Sequence, residues 1–186
     1  GTLVLGEAYN TPGALNAVFV PPPEGCGDPF TPIYQVQGSG LASPLVGTEV
    51  AVEGVVVGDF QNNTAPDNGN LNGFHIQDPA ADGDPLTSDG VFIYGSGAAD
   101  VAVGDRVRIR GAVSEYNGMT EITVSKLWVC SSGNNLPDPA ELTLPVTSVD
   151  DFEPYEGMLV TFPQTLVISE YFNYDRYGEI VLGLPL

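Results

Sequence analysis

The stretch that most constrains the fold runs from Asp105 to Val129, with Arg106-Val107-Arg108-Ile109-Arg110 at its start and Asn117-Gly118 at its middle. Strict alternation of charged and β-branched residues puts one set of side chains on each face of a strand. Asn-Gly favours a two-residue turn with left-handed backbone at both positions, so Asp105–Tyr116 and Thr120–Val129 read as a long β-hairpin. A hairpin cannot bury its apolar face alone and needs further strands. Three segments supply them. Thr48 to Val57 is β-branched and largely alternating, and Phe74-His75-Ile76-Gln77 and Val91-Phe92-Ile93-Tyr94 are shorter strands. Gly54 inside the first predicts a bulge or sharp bend. Five strands between Gly47 and Cys130, with a bend in the first and a closing hairpin, predict an all-β, five-stranded OB-fold-like barrel.

The flanks differ from this block. Residues 1–46 read as an extended N-terminal arm with one candidate strand, Leu3-Val4-Leu5, followed by Pro21-Pro22-Pro23 and scattered Gly. Residues 47–130 are the barrel. Residues 131–140 form a linker rich in Ser, Asn, Gly and Pro. Residues 141–186 hold an incomplete C-terminal β segment, with candidate strands Met158–Phe162, Leu166–Ser169 and Glu179–Leu182. Glu156-Gly157-Met158-Leu159-Val160 there echoes Val46-Gly47-Thr48-Glu49-Val50, as the start of a second barrel with too few strands to close it.

The chain carries five Lys and Arg against 24 Asp and Glu, a net charge of −19. Phosphate neutralisation by basic residues supplies most nucleic-acid affinity, so weak or no nucleic-acid binding is expected. No apolar run approaches the ~18 residues of a membrane-spanning helix. No basic segment followed by an apolar run opens the chain, so an export signal would have been removed or never included. Cys26 and Cys130 are the only cysteines. They read either as a disulfide, which favours an oxidising compartment, or as two separate buried thiols. A bridge would close a loop of roughly 100 residues, worth about 4–5 kcal/mol in the chain-entropy account.

Short motifs in a fixed order resemble a known family. They are Ile33-Tyr34-Gln35-Val36-Gln37-Gly38-Ser39-Gly40, Ser43-Pro44-Leu45-Val46-Gly47, Gly73-Phe74-His75-Ile76-Gln77-Asp78-Pro79, Asp82-Gly83-Asp84-Pro85, Val103-Gly104-Asp105-Arg106-Val107 and Tyr155-Glu156-Gly157-Met158-Leu159-Val160. Together they resemble the OB-fold accessory domain that precedes the catalytic domain in secreted bacterial nucleases of the endonuclease/exonuclease/phosphatase type. The resemblance implies secretion, association with nucleic-acid hydrolysis and a sibling catalytic domain lying downstream. Phosphodiester hydrolysis needs a metal or paired acid–base groups converging on one phosphate. The chain has one histidine, His75, flanked by Phe74 and Ile76 in a short strand. It is therefore expected not to be an enzyme.

Two constellations carry further expectations. In Asp78 to Asp89, carboxylates stand at positions one, five, seven and twelve (Asp78, Asp82, Asp84 and Asp89), with Gly83 at six. That spacing matches the twelve-residue calcium loop, and Ca²⁺ is the expected ion. Ala80 at position three, an Asp at position twelve and flanking strands depart from the pattern. The alternative is a solvated acidic turn. Arg106, Arg108 and Arg110 share one strand face, and with Lys126 they form a candidate nucleic-acid face, with Tyr94, Tyr116 or Phe60 as stacking surfaces. The alternative is pairing with the chain's own carboxylates. Trp128 is expected to pack near Cys130, and Asn62-Asn63-Thr64 fits a glycosylation sequon.

The function these readings favour is a non-catalytic β module of a secreted, extracellular or cell-surface nuclease-like protein. It would position or bind a substrate, a sibling domain or a surface. The rival is a structural subunit that assembles with copies of itself into a filament, lending Leu3, Val4 and Leu5 as a strand to an unpaired edge.

Overall fold

A computed structural model of the protein describes residues 24–61, 71–95, 99–177 and 179–185. The first element is a single helical turn, α1 (Ile33–Gln37). Five strands follow: β1 (Glu49–Phe60), β2 (Gly73–Gln77), β3 (Gly90–Tyr94), β4 (Arg106–Tyr116) and β5 (Met119–Ser131). Beyond them lie β6 (Ala140–Glu141), a 3-10 helix over Val149–Tyr155, β7 (Val160–Thr161), β8 (Val167–Glu170), α2 (Tyr174–Tyr177) and β9 (Val181–Gly183).

The first five strands close into a barrel in the order β1-β2-β3-β5-β4. β1 does double duty. Glu49–Val55 pairs with β4, and Val55–Phe60 pairs with β2. The change of partner comes directly after Gly54, where a bend is expected, although the register irregularity falls between Val56 and Gly58. Closure comes from a parallel contact, Phe92–Tyr94 of β3 against Glu121–Thr123 of β5. The other barrel pairs are antiparallel. The five-stranded OB-like barrel is thus the fold. At the hairpin tip Asn117 has φ 54° and Gly118 φ 83°, the paired left-handed conformation that turns β4 into β5 between Tyr116 and Met119.

The core follows from strand alternation. Val50, Val52 and Val56 of β1, Phe74 and Ile76 of β2, Val91 and Ile93 of β3, Val107, Ile109 and Val113 of β4 and Ile122 of β5 form one buried cluster. Ile33 and Val36 of α1 belong to it as well, both fully buried. Over Ile33–Gln37 the chain is therefore helical, where an extended arm was expected. Ile33 and Val36 stand three apart, so one turn of helix directs both into the barrel. A five-residue helix is too short to show a periodicity. Residues 1–23, including Leu3, Val4 and Leu5, lie outside the described residues, as do Asn62 and Thr64.

The linker is pinned to the barrel: the Asn134 N–H and Nδ2 both donate to the Gly104 carbonyl. In the C-terminal segment, Ala140 and Glu141 pair in parallel with Val160 and Thr161. β8 and β9 pair antiparallel. Of the expected strands, Met158–Phe162 is shortened to β7, Leu166–Ser169 is displaced by one residue as β8, and Glu179–Leu182 is shortened and displaced as β9. No helix of the described residues is long and apolar enough to cross a membrane.

Candidate binding cleft

Strand alternation sends Val91 and Ile93 inward, so Phe92 and Tyr94 of β3 project from the outer barrel face. The β3–β5 register sets Glu121 beside Phe92. The hairpin tip brings up Tyr116 and Met119 from one side, and Leu71 arrives from the β1–β2 connection. These six residues line a cleft of about 330 Å³. Phe92 and Glu121 form its buried base, whereas Tyr116 (62% exposed), Leu71 (52%) and Tyr94 (40%) stand open as its walls. The Glu121 carboxylate accepts a hydrogen bond from Ser114 Oγ at 3.3 Å. A floor with one carboxylate and walls of aromatic and aliphatic groups can stack on a flat face and accept hydrogen bonds from hydroxyls. Among the described residues, no cationic group lines it.

Phe92 also connects the cleft to an aromatic row. His75 lies opposite it on β2, with ring centroids 4.9 Å apart, and Phe60 meets His75 edge-on at 5.9 Å. Burial pulls the His75 pKa down to about 4. Its ring is therefore neutral near pH 7 and packs as an aromatic group.

Four of the five basic residues have intramolecular partners. Arg108 is fully buried, and its Nη1 donates to Glu53 Oε1 at 3.0 Å and to the Asp28 carbonyl at 2.8 Å. Its Nη2 donates to the Pro29 carbonyl at 2.9 Å. Arg106 reaches the other oxygen of Glu53 at 3.0 Å. Arg110 pairs with Glu49 and Glu24, and Lys126 also pairs with Glu24. Burial alone would raise the Glu53 pKa, but the Gly27 N–H and the two guanidinium groups outweigh it and hold the carboxyl below its usual value. Arg108 therefore contributes no surface charge. Arg106, Arg108, Arg110 and Lys126, the candidate nucleic-acid face, form a belt of ion pairs that binds residues 24–29 to the barrel. Cys26 and Cys130 form a disulfide at the same place, 104 residues apart in sequence. Trp128, half-buried, lies opposite Arg108 on β5.

In the Asp-rich loop each carboxylate accepts a backbone N–H: Asp78 from Ala80, Asp82 from Asp84, Asp84 from Leu86, and Asp89 from Asp82. Asp82 also accepts from Thr87 Oγ1 at 2.9 Å. Among the described residues, no three His, Cys, Asp or Glu side chains are grouped to hold a metal ion. Each of the four aspartates closes a turn of the loop on its own backbone in this structure. Asp89 is buried, which raises its pKa, and the charges of Asp82 and Asp78 add to the rise.

Tyr94 and Tyr116 were legible as stacking surfaces from sequence. Leu71, Phe92, Met119 and Glu121 were not, because the parallel β3–β5 contact that gathers them has no local signature. Met119 directly after the Asn-Gly turn is the one sequence hint.

No family model matches the chain, and no curated protein matches it. Among solved structures it is similar to an OBody bound to hen egg-white lysozyme, at 22% identity and a TM-score of 0.31, over 48% of this chain and 84% of that one.

Proposed function

We propose that this chain is a non-catalytic binding module of a secreted nuclease-like protein, and that it holds a neutral, hydroxyl-bearing chain such as an extracellular glycan in the Tyr94–Tyr116 cleft. The observation that carries the reading is the exposed aromatic pair standing over the buried Phe92 and Glu121. OB folds present ligands to the same strand face and loops. Aromatic faces stack on the apolar faces of sugars, and a carboxylate accepts from their hydroxyls. A phosphodiester backbone would meet Glu121 and, among the described residues, no lining cation, in a chain of net charge −19. In this reading the module anchors a sibling catalytic domain at a surface. Tyrosine fluorescence titrations against neutral oligosaccharides and single-stranded DNA test it. Saturable quenching by a neutral oligosaccharide is expected, and salt-sensitive binding of DNA alone would overturn the ligand assignment.

A self-assembling subunit remains the second reading, supported by the C-terminal hairpin. Ile168 (59% exposed), Phe172 (87%) and Leu182 (46%) leave an apolar surface there. Such surfaces mark interaction sites. Light scattering after size exclusion, on the whole chain and on one lacking residues 1–12, tests it. Concentration-dependent oligomers lost on truncation support strand exchange, whereas a monomer in both forms ends it.

A further inference from the structure

We propose that Glu156 is a proton-operated clasp, which in its protonated form fastens the C-terminal segment to the barrel and on ionising loosens that hold. The segment around Glu156 crosses the barrel where α1, β3 and β5 meet. Glu156 Oε1 accepts the Thr120 N–H at 2.8 Å and Gln37 Nε2 at 3.3 Å. Gln37 is itself buried and also donates to the Gly90 carbonyl at 2.6 Å. The Glu156 carbonyl accepts Ser88 Oγ at 2.6 Å, and the Leu159 N–H donates to Gln77 Oε1 at 2.9 Å. The backbones are in close contact: a Cβ on Gly90 would lie 2.4 Å from the Gly157 carbonyl carbon. The carboxylate thus joins its own segment to α1 and β5, while the neighbouring backbone joins that segment to Ser88 and to β2.

Among the described residues, the groups facing this carboxylate are neutral or acidic. α1 offers Gln37, the β3 approach offers Ser88, and β5 offers Thr120. From β4 comes Glu115, which accepts Thr120 Oγ1 at 2.8 Å and the Ser43 N–H at 2.8 Å. From the 3-10 helix comes Glu153, with Asp150 near it. Four of the five basic residues are committed elsewhere, to Glu53, Glu49 and Glu24. Burial pushes the Glu156 carboxyl up to about 7, against the Thr120 and Gln37 bonds, and Glu153 and Glu115 add to the rise. Glu153 is raised by burial and by Glu115 and Asp150.

A released segment would return Glu156 to its ordinary value of 4.5. The docked form therefore holds more protons across that interval, and docking is strongest below about 4.5 and weakens as pH rises to about 7. The Gln77 and Ser88 bonds do not titrate, so the expected event is local opening and not global unfolding. The segment leads into the apolar β8–β9 hairpin, so the clasp would set how firmly that surface is held.

Amide hydrogen exchange by NMR between pH 5 and 8, corrected for intrinsic rates, reads the clasp at Thr120 and Leu159. Their protection should fall by about ten- to a hundredfold across this range, while barrel-centre amides such as Ile109 stay level. Glu156→Gln keeps an acceptor but cannot ionise, and its protection should not change with pH. Glu153→Gln should move the midpoint to lower pH, and it carries the test if Glu156→Gln fails to fold. Level protection in the unaltered protein would overturn the proposal, as would an undiminished fall in Glu156→Gln or an unmoved midpoint in Glu153→Gln.

Discussion

Glu53 and Arg108 stand directly opposite each other on β1 and β4, with Oε1 and Nη1 3.0 Å apart and both side chains almost wholly out of solvent. Around that pair the chain builds its N-terminal attachment. Arg108 reaches past Glu53 to the Asp28 and Pro29 carbonyls, and the Gly27 N–H donates to Glu53 at 2.8 Å. The disulfide at Cys26 closes the same strap onto β5. An acidic chain with few basic residues has used its most buried one for architecture.

Arg108→Ala should cost about 3–5 kcal/mol, because it leaves Glu53 buried with one guanidinium fewer. Replacing Glu53 and Arg108 together with Ala should cost less than the Glu53→Ala and Arg108→Ala losses combined. Urea unfolding of the four proteins measures this.

The depressed Glu53 pKa also fixes a sign. Its stabilising contribution is present above the ordinary carboxylate value of 4.5 and is lost as pH falls through the lower folded value. Glu53→Gln should therefore flatten the stability loss below about pH 4.5. Urea midpoints at pH 6 and pH 3 check it, and equal losses in both proteins would contradict it.

The Cys26–Cys130 bridge predicts no alkylation of the native, unreduced chain by intact mass. The double replacement by Ala should lower stability by about 2–5 kcal/mol. The ion-pair belt should still hold the strap, so the fold survives.

The Asp-rich loop satisfies its carboxylates with its own backbone. Melts in EDTA and in millimolar Ca²⁺ should coincide. A rise in Tm with Ca²⁺ that Asp82→Asn abolishes would show that the loop rearranges around an ion.

The barrel was legible wherever the signal was local. Asn117-Gly118 marked the turn and alternation marked β4, whereas the irregularity in β1 falls between Val56 and Gly58, beyond Gly54. What escaped depends on convergence. α1 buries Ile33 and Val36 with a single turn, too brief for a periodic pattern. The parallel β3–β5 contact that closes the ring and brings Met119 and Glu121 to Phe92 leaves no trace in either strand. From sequence, Arg106, Arg108 and Arg110 read as a surface stripe or, with the greater weight, as partners of the chain's own carboxylates. Only the position of Glu53 opposite Arg108 decides between them. Glu156 is one acidic residue among 24 until its neighbours are known.

The most direct test of the cleft is calorimetry of the intact chain and Tyr116→Ala against a neutral oligosaccharide selected by fluorescence. Tyr116 is 62% exposed, so its loss should leave Tm unchanged. Affinity should fall about tenfold, equivalent to about 1.4 kcal/mol. Equal affinity in both proteins, with the fold intact, would contradict the assignment of this cleft as the binding site.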